Sequence, residues 1–391
     1  MTSRFRLLLV VLFAVVGLSS TAQDAPLQPL PFFASFIPNV QFAPLYVAIE
    51  EGYFADAGYD FQIQHGDENI GVIQIAQGDP KFGLISGEQV LMARAAGIPV
   101  VYLYTWFMQF PVAVVARDGV EMDSPDDLAG LRVGIPGPFG ASYTALTALL
   151  ASAGLTEADL QLESIGYVAP DVLCAGGVDA AVVYINNEPL EIQRRIDAGQ
   201  CGDVTGITVL PVADFANIAS NGIVTNEDVV KNEGSLVWTV TTAFDQGVFD
   251  TATNPARAYL HSLNHVENLP QSQAFIDALE GYATEFDALL ATLPSPDDIA
   301  VKRIEVRDAL REAFEPAELA QFEVLLATIE LWDHPLTGII DDNAWLITRD
   351  TMAMMGSIPA DFDITGAYIS DFIPMGIDYE GAAPIAVTPE S

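Results

Sequence analysis

Three helical patterns end on glycine, at Gly52, Gly78 and Gly97, and short apolar runs fall between them. Glycine just past a last helical turn is a stop signal, because it enters the left-handed region without strain. Residues 43–51, 69–77 and 88–96 therefore read as helices, and 32–36, 59–64, 82–85, 99–106 and 112–117 as strands, after a Pro-rich leader at 25–31. Strand and helix alternating at this pace predict an α/β fold, a mostly parallel sheet with helices on both faces. Ser124-Pro125-Asp126-Asp127-Leu128, an N-cap followed by proline, opens a second series. Strands are expected at 131–135, around 160–165 and at 180–185, and helices at 143–152 and 171–175. Segments 207–211 and 222–225 lead back, and beyond residue 255 helices are expected, with a strap-like tail. The economical reading is two α/β lobes, the second inserted in the first: residues 29–115 and 222–391 form lobe 1, and 116–221 form lobe 2, with crossings near 115–119 and 209–221.

Residues 1–22 read as an export signal. Arg4 and Arg6 precede an apolar run at 7–18, and Ser20-Thr21-Ala22 offers small residues for cleavage. The run is short for a membrane span; an uncleaved anchor helix is the alternative. Acidic residues number 53 against 15 basic ones, a net charge of −38. Such a surface repels nucleic acid and anionic lipid, which are held through Lys and Arg. Lysine occurs only at 81, 231 and 302; either a salty medium that screens self-repulsion or drift in an acidic lineage accounts for that. Cys174 and Cys201 are either two small core residues or a bridge, which an exported protein can keep and which would be worth about 3 kcal/mol.

Ligands of open α/β sheets sit at the carboxyl ends of strands, and in two-lobed proteins between the lobes. Asn39 and Gln41 follow the first strand, where the Asn39 amide can face a ligand or cap the next helix. Tyr46 belongs to an apolar helix face, as ligand contact or as core. Glu88 begins a helix, where the N-terminus stabilises a carboxylate that could also accept from a ring N–H. Tyr104, Trp106 and Gln109 belong to an aromatic stretch that can stack on a flat ring or fill a small core beneath a hinge. Ser142 and Tyr143 follow a Gly-rich turn, a place for a polar ligand group or a plain connection. Tyr184, Asn186, Asn187 and Glu188 put amides and a carboxylate directly after a buried strand, which demands partners in the ligand or in the other lobe. His261 and His265 stand at zinc-ligand spacing but lack a third ligand, so no metal site is expected.

Several of these residues fall in motifs with a family likeness. Phe36-Ile37-Pro38-Asn39, then Ala43-Pro44-Leu45-Tyr46-Val47-Ala48 and Glu51-Gly52-Tyr53-Phe54, resemble the opening of solute-binding proteins of ABC importers in the taurine, alkanesulfonate and thiamine-pyrimidine-precursor group. Gly87 to Val100, Ser124 to Gly134, Gly177-Val178-Asp179-Ala180 and Ile185-Asn186-Asn187-Glu188-Pro189 resemble its later segments in order and spacing. The likeness covers residues 32–226, more weakly to 374. It implies a two-lobed periplasmic-binding-protein fold of type II, closing as a clamshell on a small flat heteroaromatic ligand. That ligand would be a thiamine pyrimidine precursor or, from the wording around Asn39, riboflavin-like. It further implies a secreted or periplasmic monomer, without cofactor, delivering to a membrane permease and indirectly to its ATPase. Taurine or a sulfonate is less expected, because no Arg stands among the first-lobe motifs except Arg94, well inside a helix. A synthase with a Cys-rich motif, a reacting His and a Lys-bound cofactor also belongs to the likeness. This chain has no Cys cluster and no Lys near His65 in sequence, so it reads as no enzyme.

Overall fold

The computed structural model describes residues 26–138, 140–332 and 337–374; the expected export signal lies outside the described residues. Ten strands are formed: β1 Gln28–Ser35, β2 Tyr59–Gly66, β3 Phe82–Ser86, β4 Val100–Thr105, β5 Val112–Arg117, β6 Arg132–Ile135, β7 Gln161–Ser164, β8 Ala180–Tyr184, β9 Ile207–Pro211 and β10 Asn221–Asn226. They make two five-stranded sheets, ordered β2-β1-β3-β10-β4 and β7-β6-β8-β5-β9. The two orders are equivalent. In each sheet one strand opposes the others, β10 in the first and β5 in the second, and it is the strand that arrives from the other lobe.

Two expectations need correction. Strand β1 starts at Gln28, inside the Pro-rich stretch, because residues 28–31 pair with β2 alone and proline is tolerated on a one-sided edge. The lobe boundary also moves. From Val112 onward β5 pairs with both β8 and β9, so the chain leaves the first sheet after Thr105 and not near Val115. The two crossings, residues 106–111 and 212–220, run side by side. Trp106 N donates to Asn221 O (3.0 Å), Phe110 N donates to Asn217 Oδ1 (3.1 Å), and the Ser220 hydroxyl donates to Phe107 O.

In lobe 1 the helix Ala43–Glu50 packs on Gly234–Thr253, a twenty-residue helix that the sequence pattern had not announced. Their contact is close enough that a Cβ at Gly247 would stand 2.1 Å from Pro44 O. The expected C-terminal helices are Gln273–Leu290, Pro296–Ala313, Pro316–Ile329 and Asp342–Met354. The tail then straps the edge of β4, with Tyr102 N donating to Ala367 O (2.9 Å) and Ile369 N to Tyr102 O (3.0 Å). Two of these helices reach across the hinge. Thr348 accepts from Ala219 N (2.7 Å), and Thr328 accepts from the Asn186 side chain (2.8 Å).

Lobe 2 has an aliphatic core closed by a Cys174–Cys201 disulfide, its Cα atoms 4.4 Å apart. Asp179, from the Gly177-Val178-Asp179-Ala180 motif, is structural. Its carboxylate accepts from Arg132 Nη2 (2.8 Å), Arg132 N (3.1 Å) and Arg117 Nη2 (2.7 Å), tying β5, β6 and the start of β8 together. Ser124 is the N-cap expected, and Asp127 completes a capping box with it.

Candidate functional site

The carboxyl ends of β1, β2 and β3 and those of β6, β7 and β8 open toward the space between the lobes, with the paired crossings at its back. The turn after each of these strands places the first residues of the next helix at that space. Ser86 ends β3, and Gly87 opens the helix Gly87–Ala95. Only glycine fits there, since a Cβ would come within 2.5 Å of Ala219 Cβ on the returning crossing. Glu88 follows, 1% exposed, and neither of its carboxylate oxygens has a hydrogen-bond partner. Burial first, and then the charge of Glu68, push its carboxyl up to about 8. The Ser86 hydroxyl is also buried, near enough to moderate that shift but outside hydrogen-bond geometry.

Glu68 opens the helix Glu68–Gln77 just after β2 and accepts from Ser86 N at 2.6 Å, so two strand-to-helix turns bring their carboxylates together. From the other lobe comes Tyr184, the last residue of β8. Burial raises its phenol above the ordinary tyrosine value; the charges of Glu68 and Glu88 follow in size, ahead of Glu188 and Tyr167. Tyr184 thus lies within electrostatic range of both lobe 1 carboxyls. Glu188 opens the helix Glu188–Asp197 and accepts from Tyr184 N (3.0 Å), with its own carboxyl raised by burial.

The other expected residues divide. Asn186 is buried and bridges the lobes through Thr328, leaving its Oδ1 unpaired. Asn187 is half-buried in the same turn. Asn39 caps a short helical turn by accepting from Gln41 N (2.9 Å), and both stay half-buried beside the β1 end. Ser142 is buried in the first turn of the helix Gly140–Ser152, and the neighbouring Tyr143 donates to Glu157 within its own lobe. Gln109 is exposed.

Three aromatic residues are core. Tyr46 stacks on His265 at 4.7 Å, and Tyr104 donates to the buried Asp245 at 2.7 Å. Trp106, expected as a stacking wall, has its faces occupied by Phe107 (4.2 Å), Phe42 (5.7 Å) and Trp332 (5.7 Å). The stretch is an aromatic core under the hinge, the other role its composition allowed. His261 and His265 meet Glu51 and Glu50 at 2.9 and 2.8 Å.

Sequence reasoning missed Glu68, Ser86 and Thr328, and the exposed aromatic residues Phe36 and Tyr167. Glu68 stood in plain view at the same place after its strand as Glu88. Phe36 follows β1 with a backbone φ of +76° and 61% exposure, a strained position of the kind that clusters at functional sites. Tyr167, 80% exposed, follows β7.

Two α/β lobes with equivalent sheets, joined by paired crossings, define the periplasmic-binding-protein fold. The periplasmic sulfonate-binding protein SsuA of Methylobacillus flagellatus, a putative sulfonate ABC transporter component, matches with a TM-score of 0.57 over 89% of this chain and 93% of its own, at 12% identity. Residues 39–258 match the NMT1/THI5 like family, and the chain belongs to it. The riboflavin-binding protein RibY of Chloroflexus aurantiacus is 30% identical over 91% of this chain and 90% of its own. A formylaminopyrimidine-binding protein of Halalkalibacterium halodurans is 32% identical over 46% of this chain and 56% of its own.

Proposed function

We propose that the chain is the extracytoplasmic solute-binding component of an ABC importer. It captures a small flat heteroaromatic molecule, riboflavin-like or a pyrimidine precursor, between its lobes and hands it on unaltered. The observation that carries this reading is the buried Glu88 carboxyl of lobe 1, both oxygens unpaired at the carboxyl end of its sheet and within electrostatic range of Tyr184 from lobe 2, because such a polar group is costly to enclose unless something beside it supplies partners. The names of the two relatives support the ligand class. Tyr184, Phe36 and Tyr167 are the rings available to stack on a planar ligand, since Trp106 is spent on the core. Closure proceeds about the crossings at 106–111 and 212–220, favoured by contacts that only the closed form makes. The disulfide fits an oxidising compartment. The working unit is a monomer that docks on a permease.

A thermal-shift panel of riboflavin, aminopyrimidine precursors, taurine and an alkanesulfonate tests it, since a ligand raises the melting temperature in proportion to its occupancy. A shift with riboflavin or a pyrimidine, lost in Tyr184→Ala, with the ligand recovered chemically unchanged by mass spectrometry, is the expected result. Turnover of the ligand, or a shift untouched by changes in either lobe, would sink the reading.

A further inference from the structure

The two carboxylates of lobe 1 say more about the ligand than that it is flat. Glu88 is 1% exposed and neither oxygen is paired; the Ser86 hydroxyl beside it is 1% exposed and also unpaired. Glu68 spends one oxygen on Ser86 N. The charged and phenolic groups that interact with these two carboxyls are Asp67 with Glu68, Tyr102 with Glu88 and Tyr184 with both, every one acidic or phenolic. The nearest candidate counter-charge in sequence is Arg94, on the Glu88 helix. It turns away, donating to Val100 O (2.8 Å) and pairing with Glu227 (3.0 Å). The Ser86 hydroxyl is the one donor inside the set, and it makes no hydrogen bond; the two Glu88 oxygens hold more acceptor capacity than it can satisfy, so the set is complete only when the occupant brings further donors. Ligand donors on the Glu88 oxygens favour its ionised form, whereas an anion disfavours that form and brings no donor for it.

We propose that Glu88, with Glu68 and Ser86, is the specificity element of the cleft: it takes a pair of adjacent N–H or O–H donors from an uncharged or cationic ligand edge, and it bars sulfonates and other anions. This rests on the solute-binding reading above. Two sources could supply the shared chemistry, the amino group and ring nitrogen of a protonated aminopyrimidine or neighbouring hydroxyls of a ribityl chain. Either can meet one carboxylate with two hydrogen bonds. The strength of charge-assisted bonds suits a site with no cation of its own.

The pocket also predicts an inverse relation between stability and binding. An unpaired buried carboxylate burdens the empty fold, so replacing it with an amide relieves the fold while weakening recognition. Isothermal titration of riboflavin, 4-amino-5-hydroxymethyl-2-methylpyrimidine and taurine into the wild-type chain, Glu88→Gln and Glu68→Gln, with a ligand-free melt of each, tests both statements. The expected result is binding of riboflavin or the pyrimidine but not taurine. Glu88→Gln then weakens that binding by about tenfold or more, equivalent to about 1.4 kcal/mol, while its ligand-free melting temperature rises. Glu68→Gln keeps an acceptor for Ser86 N, so it folds and weakens binding less; it serves if Glu88→Gln does not fold. Taurine binding as tightly as the others, or Glu88→Gln binding its ligand unchanged, overturns the specificity claim and leaves the cleft reading standing. Binding of none of the three overturns both.

Discussion

The two lobes share one strand order but handle polar groups at their cleft ends in opposite ways. Lobe 2 pairs its carboxylates and leaves only single atoms, such as Asn186 Oδ1, without partners. Glu188 takes a backbone bond from Tyr184, Tyr143 donates to Glu157, and Asp179 at the far end of β8 is held by two arginines. Lobe 1 leaves Glu88 and Ser86 without partners. The cores differ in parallel. Lobe 1 buries Phe42, Trp106, Phe107, Phe244 and Trp332 in one aromatic cluster and adds the C-terminal helices, whereas lobe 2 relies on Val, Leu and Ala and a disulfide. A large core can carry an unpaired buried carboxyl; a small one gains more from a covalent staple and from pairing its carboxylates. On the proposed function, lobe 1 is the half built to bind and lobe 2 the half built to close.

The comparison breaks first at Trp106. If its ring is core, Trp106→Ala should cost about 4 kcal/mol in urea unfolding, with the loss falling on lobe 1. A loss below about 1 kcal/mol, together with a collapse in ligand affinity, would return Trp106 to the cleft wall and remove the contrast between the cores. Next comes the staple. Its bridge spans 27 residues of sequence, so reduction should cost about 3.5 kcal/mol in the chain-entropy account. Exchange-protection losses should be confined to lobe 2; a loss spread evenly over both lobes would mean that they unfold as one unit and have no separate economies.

The third test reads the charges. Hydrogen bonds from Arg132, then from Arg117, hold the Asp179 carboxyl well below the usual carboxylate range. Its contribution is therefore complete above the unfolded value of about 4 and is lost as pH falls below it toward the folded value. Asp179→Asn should cost about 2 kcal/mol at neutral pH and much less in acid. Glu88, raised to about 8, has the reverse sign: the native state holds the proton more tightly, so the ligand-free protein loses stability as pH rises from about 4 to about 8. Glu68, Tyr102, Tyr184 and Ser86 face that carboxyl and share in the profile. Melting curves across pH, with Glu88→Gln flattening the neutral limb and Asp179→Asn the acid limb, would sharpen the contrast; one common slope would erase it.

Much of this was legible in the chain. Strands Val112–Arg117 and Ile207–Pro211 appear where their apolar runs stand, because a buried strand needs little beyond that run and flanking turns. Which sheet a strand joins is a long-range matter, and so the boundary near Val115 was misplaced. The helix Gly234–Thr253 was overlooked because its Thr and Val positions weaken the helical signature, while burial against Ala43–Glu50 decides it. In the site, Glu88, Tyr184 and Glu188 were visible from their places after strands. Trp106 was open to two readings because composition states what a ring can do and not which neighbours fill its faces.

The finest test concerns the contact that ties one half to the other. Asn186 donates to Thr328, 142 residues on in sequence and on a helix of lobe 1, so no local pattern could have paired them. A neutral hydrogen bond of this kind is worth about 1 kcal/mol net. If the bond forms only with the lobes together, removing it should spend that amount on opening and not on unfolding. Asn186→Ala and Thr328→Val should each lower apparent ligand affinity by about fivefold, through a smaller closed fraction, and their combination should do no more than either alone. Small-angle scattering of the ligand-free variants should show a larger radius of gyration than the wild type, with urea midpoints nearly unchanged. Additive losses, or a fall in unfolding stability without any change in shape, would make Asn186 a packing residue, and the division into a binding half and a closing half would lose the latch that joins them.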